Sequence, residues 1–163
     1  MQLEKDVFLN MWEREFQTTL RVLDAFPHDR HEYRPHEKSS SAKQLAWTFV
    51  AEEKIMILGA LIGKIDFTQH QTAPETMKEI IEEYRKSHAE AVEKVKAFPE
   101  TGLGDTMKID VGPKTQADVR KMDIMWMAVM DMIHHRGQMT VYNRLTGGKV
   151  PSIYGPSADE TWN

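Results

Sequence analysis

The chain has 163 residues, of which 28% are charged and 40% hydrophobic, with 9 Gly, 7 Pro and no Cys. This length predicts a single domain over 1–163, able to remove about two thirds of its unfolded surface from water, and the missing Cys excludes disulfide and thiolate-metal frameworks. Against 25 Asp and Glu stand 21 Lys and Arg, a net charge of -4 that offers no general attraction to nucleic acid or anionic membranes. The acidic start Glu4-Lys5-Asp6 and the lack of any apolar run near ~20 residues predict a cytoplasmic protein.

Leu3, Val7, Met11, Leu20 and Leu23 recur mostly at three- and four-residue steps, which predicts a first helix from Leu3 to about Phe26, ended by Pro27. The aperiodic stretch from Pro27 to Ser40 reads as a surface connection. Its His28, His31 and His36 lie among Arg30 and Arg34 with no spacing that holds them on one face, so they are read as solvated rather than as ligands. Ser41-Ala-Lys-Gln44 fits a capping box and opens a second helix through Leu45, Phe49, Val50, Ile55, Ile57 and Leu61, weakened at Gly59 and Gly63. Thr72 with Glu75 three residues on and Pro74 between them predicts the start of a third helix. Along it Met77, Ile81, Tyr84, His88, Ala91 and Val95 form a seam, and Pro99 stops it. A long connection, Glu100 to Lys114, includes a short extended segment at Met107–Val111; Thr115-Gln-Ala-Asp118 then reads as the cap of a fourth helix running to about Thr146, closed by Gly147-Gly148. The expected class is all-α, an antiparallel four-helix bundle with at least one longer crossover, followed by a tail from about 147.

Chemistry points to the fourth helix. Asp131 and His135 are four apart and share one face, a spacing that suits two ligands of one metal or, equally, a simple Asp–His hydrogen bond at a helix surface. His134 points elsewhere and is assigned to packing or solvent.

The run His134-His-Arg-Gly-Gln138, the following Val141-Tyr-Asn-Arg144 and the tail Gly148-Lys-Val-Pro-Ser-Ile-Tyr-Gly-Pro156 resemble the DinB-like family, also called DinB/YfiT-like putative metalloenzymes. Leu45-Ala-Trp47 and the order of helices add to the resemblance over nearly the whole chain. It implies an up-down-down-up four-helix bundle, frequently a homodimer, holding a divalent Ni, Zn, Mn or Fe ion through three His. Relatives include thiol-dependent transferases and a mycothiol-dependent isomerase. Carried over by position, the family's ligands are the residue directly after Leu45-Ala-Trp47 and a His-x-x-x-His pair ending before Arg136; here these are Thr48, Asp131 and His135. Two of three imidazoles are replaced, and a Thr hydroxyl is a poor donor to a transition metal. Glu52, one turn beyond Thr48, and His88 on the third-helix seam are the substitutes that would rebuild a carboxylate-rich set. The plainer alternatives are a hydrogen-bonded core histidine at 88 and a solvated face at Glu52-Glu53-Lys54. Arg136 is read as a buried fork that locks the tail through carbonyl hydrogen bonds, and Gly137 as a point of close helix approach.

Three functions follow from this reading. One is a divalent-metal-dependent thiol transferase with an altered metal site. The second is a metal-free module that binds a small molecule or dimerises, and the third is acid–base chemistry by the Asp131–His135 pair.

Overall fold

The computed structural model describes residues 3–69 and 72–162. Helix α1 spans Glu4–Asp24, α2 Ala42–Ala51, α3 Leu58–Ile62, α4 Met77–Ala97 and α5 Lys121–Leu145. Two strands, β1 (Thr106–Gly112) and β2 (Thr115–Arg120), form an antiparallel hairpin between α4 and α5. The chain is therefore mostly helical with a small sheet, and the all-α expectation needs that correction. Helix α1 packs on α4 and α5, and α2 packs on the same two helices. No helix among the described residues is long and apolar enough to cross a membrane.

The hairpin explains the misread fourth-helix start. Thr115-Gln-Ala-Asp118 satisfies the capping pattern, yet Met107 pairs with Val119 and Ile109 with Ala117, so one face carries alternate apolar residues from both strands. Met107, Ile109 and Val119 lay that face on the core. Burial at a period of two outweighed a local cap, and α5 begins only at Lys121. Similarly, the cap before α4 is Thr76, whose hydroxyl accepts from the Glu79 N–H while the Glu79 carboxylate returns to the Thr76 N–H. Thr72 and Glu75 precede it outside the helix. The Ser41–Gln44 capping box forms as predicted.

Between α2 and α3 the helix continues as a π-turn, Glu52–Ile57, in which the Leu58 N–H reaches back five residues to the Glu53 carbonyl. Gly63, at φ 76, ends α3 in the left-handed conformation a Cβ disfavours. The seam predicted on α4 is buried throughout, from Met77 to Val95. On α1 Leu20 and Leu23 are buried as expected, but the rest of the buried stripe is Phe8, Trp12, Glu15, Phe16, Thr19 and Val22, and Leu3, Val7 and Met11 face solvent. Aromatic size decides the phase: Phe8 and Trp126 meet edge to face at 5.1 Å. Gly137 has open space around it, so it is not a contact point. The close approach is at Gly148, where an added Cβ would lie 2.7 Å from Pro27 Cδ and 2.9 Å from the Ala25 carbonyl oxygen.

Arg136, 1% exposed, ties α5 to α1 and the tail. Its Nη1 donates to the Glu15 carbonyl at 3.1 Å, and its Nη2 lies 2.6 Å from Glu15 Oε2. Nη2 also donates to the Tyr154 hydroxyl, which donates in turn to Glu15 Oε2 at 2.7 Å. Beyond this point Arg21 holds Glu160 at 2.7 Å and Arg144 holds Asp159 at 2.6 Å. Trp162 stays exposed, with its indole N–H on Ser152 Oγ.

Removing one partner of a buried pair strands the other charge. Arg136→Ala is expected to lower unfolding free energy in urea by about 3 kcal/mol, whereas Tyr154→Phe, which keeps the pair, should cost about 1 kcal/mol. Equal losses in the two variants would show that the pair contributes nothing beyond the tail contact.

Candidate functional site

On α5, His135 Nε2 lies 3.1 Å from Asp131 Oδ2, one helical turn apart as the spacing predicted. The other ring nitrogen, Nδ1, is 3.4 Å from Gln138 Oε1, and the Gln138 amide reaches His134 Nε2 at 2.9 Å. Asp131 also meets Glu52 across the α2–α5 interface. Burial, then the neighbouring Asp131 charge and a hydrogen bond between the two carboxyls, push Glu52 up to about 8. Burial of Glu52 beside the half-exposed Asp131 carboxylate favours the protonated form of Glu52. The result is a chain of three side chains, Glu52 to Asp131 to His135.

His135 opens onto a cleft of about 440 Å³ between α2, α5 and the loop before α2. Thr48, Gln138, Tyr142, Ser39 and Ser40 also line it. The Thr48 hydroxyl turns back on its own helix and donates to the Gln44 carbonyl at 3.2 Å, and Tyr142 donates to the Ser40 carbonyl at 2.9 Å. The cleft thus gathers one imidazole, one primary amide and several hydroxyls beside Pro35, Leu45 and Val141, a surface suited to a small polar molecule with an apolar part.

His88 belongs to a different cluster. Its Nδ1 is 2.7 Å from Glu53 Oε1 and its Nε2 is 3.2 Å from Glu13 Oε2, while its ring stacks on Phe16 at 3.6 Å. Glu53 Oε1 also accepts from the Trp12 indole N–H at 3.0 Å. Burial raises the Glu53 carboxyl, and the hydrogen bonds of His88 and Trp12 oppose that rise. For Glu13, burial pulls upward as well, but hydrogen bonds from Gln17 and His88 outweigh it and hold the carboxyl below its ordinary value. Glu53 is wholly buried, so the solvated face assigned to Glu52-Glu53-Lys54 is not what forms. The sequence did carry the signal: Phe49, Glu53 and Ile57 are four apart and share the buried side. Adjacent helix residues point about 100° apart, which sends Glu52 to α5 and Glu53 to α1 and α4.

The structure therefore brings Glu52, Asp131 and His135 together and keeps His88 with Glu53 and Glu13. As a metal centre the first group is deficient. Glu52 and Asp131 spend donor oxygens on each other, and the Thr48 hydroxyl is committed to a carbonyl. Among the described residues no three His, Asp or Glu side chains gather as a ligand set. These residues do not fit the three-imidazole ion implied by the resemblance.

Comparison with known proteins agrees with the sequence resemblance. The chain is 25% identical to the uncharacterized protein YrdA of Bacillus subtilis (strain 168) over 161 residues, 95% of this chain and 90% of that one. A solved DinB-like protein from Bacillus cereus ATCC 10987 superposes with a TM-score of 0.75 at 25% identity, over 90% of this chain and 95% of the other. A second, YjoA from Bacillus subtilis, gives a TM-score of 0.69 at 21% identity over 88% and 94%, a likeness of fold. The model of the DinB family matches residues 1–162, and the chain belongs to that family.

Proposed function

We propose that this DinB-family chain binds a small polar molecule in the α2–α5 cleft and handles a proton there, without the family's three-imidazole ion. The observation that carries the reading is the Glu52–Asp131–His135 chain, whose last member lines the cleft. Asp131 orients the His135 ring through Nε2, and the protonated Glu52 behind it steadies the Asp131 carboxylate; Nδ1, in only a long 3.4 Å contact with Gln138 Oε1, is the nitrogen that takes or gives a proton to a bound molecule. Thr48, at one of the ligand positions implied by the resemblance, donates its proton to the Gln44 carbonyl and keeps its oxygen as a hydrogen-bond acceptor. The pairwise packing of α1, α2, α4 and α5 supports the up-down-down-up bundle. Exposed apolar side chains on α5, Met127, Met130 and Leu145, and on α1, Leu3, Val7 and Met11, support a homodimer.

Elemental analysis of the purified chain after incubation with Ni, Zn and Mn separates this reading from a metal-dependent thiol transferase. Substoichiometric metal, unchanged in His135→Ala, is the expected outcome. A stoichiometric ion in the wild type that is lost in His135→Ala would overturn it. For the dimer, Met130→Glu should halve the mass measured by light scattering.

The pH dependence of stability follows from Glu52. Its folded value near 8 lies above its ordinary 4.5, so between those values the folded state holds a proton that the unfolded state has released. Stability therefore falls as pH rises from about 4.5 to about 8 and levels above that. Urea unfolding across this range should show a smaller fall in Glu52→Gln than in the wild type. Identical profiles would remove Glu52 as the proton holder.

A further inference from the structure

A groove of about 580 Å³ lies on a different part of the molecule, where α3 and α4 both end. Leu58, Leu61, Ile62, Phe98 and Pro99 form its walls, and Lys94 stands among them. Ile62 is 77% exposed at the rim of this groove. Two helix C-termini leave carbonyls here that would repel an anion. Those carbonyls are already covered by cations: Lys5 Nζ donates to the Lys96 and Phe98 carbonyls at 3.2 and 2.9 Å, and Lys121 Nζ donates to the Leu61 carbonyl at 3.3 Å and sits 5.2 Å over the Phe98 ring. Glu100, directly after Pro99, has Oε1 accepting from the Lys5 main-chain N–H at 3.4 Å. No carboxylate of the described residues lies within salt-bridge distance of Lys94, in a chain whose acids outnumber its Lys and Arg. An apolar slot with one uncommitted ammonium matches a molecule with an aliphatic chain and a single anionic end.

The geometry points to a second ligand site in this groove, for a free single-chain carboxylate whose tail lies along Leu58, Leu61, Ile62 and Phe98 and whose head pairs with Lys94. It is independent of the α2–α5 cleft, and neither site shares a residue with the other.

The test uses the full chain with dodecanoate, below its micelle-forming concentration, followed by calorimetry and by the methyl NMR signals of Leu61 and Ile62. Saturable one-to-one binding is expected, with those methyls shifted and the affinity falling about fourfold for each methylene removed toward decanoate. Lys94→Glu should weaken binding at least tenfold while Lys94→Arg retains it, and circular dichroism should show both variants folded. Equal affinity for dodecyltrimethylammonium would overturn the assignment of the head. Absence of saturable binding would overturn the site. Adsorption to phosphatidylglycerol vesicles without binding of free dodecanoate, or self-association broken by Ile62→Asp without such binding, would likewise overturn it and give the groove to a membrane surface or a second copy.

Discussion

Two consecutive carboxylates, Glu52 and Glu53, sit on the helical segment that runs through the middle of the molecule, and each must be accommodated away from bulk water. Burying an unpaired carboxylate is costly, so a neighbour must neutralise it or a proton must. Glu53 takes hydrogen bonds from Trp12 of α1 and His88 of α4. Glu52 takes a proton and leans on Asp131 of α5. These two solutions fasten the segment to all three of its neighbouring helices. They also create two polar clusters on opposite sides of one backbone.

The clusters differ in what they offer. Around His88 both ring nitrogens face carboxylates and the ring is covered by Phe16, so the imidazole is committed to structure. Around His135 the chain of carboxyls stops at a ring that lines an open cleft. Access to a ligand, more than the identity of the residues, separates a supporting histidine from a candidate working one. A similar division runs along α5: His135 turns to the cleft, and Arg136, next in sequence, turns inward to grip Glu15 and Tyr154. The helix thereby joins the candidate site to the tail that helps close the fold.

Relation to the DinB family carries the architecture but not the site. The positions at which the sequence resemblance implies imidazoles hold Thr48 and Asp131 beside His135, and their side chains satisfy one another or the backbone. Replacing soft nitrogen donors by an oxygen-only pair changes what the pocket can hold, while leaving the helix packing around it intact.

Much of the chain could be read without coordinates. The helical period, the Ser41–Gln44 box and the α4 seam are local or periodic features, written in residues that neighbour each other along one helix. The Asp131–His135 contact was legible for the same reason. The lock at Arg136 is read beside the family resemblance, and it reaches the tail through the Tyr154 hydroxyl rather than through the expected tail carbonyls. Four features depended on partners distant in sequence. The hairpin overruled a capping pattern because Met107 and Ile109 found Val119 and Ala117 across a turn. The face α1 buries was set by large aromatics meeting Trp126 and His88, against a plausible aliphatic stripe. Glu53 went inward because Trp12 and His88 waited there. Glu52 was sorted from His88 by the 100° between adjacent helix residues, which sends them to different helices. Sequence determined the elements and the chemistry available on each; tertiary packing decided which groups meet, since burial and charge compensation act between side chains that the chain itself keeps far apart.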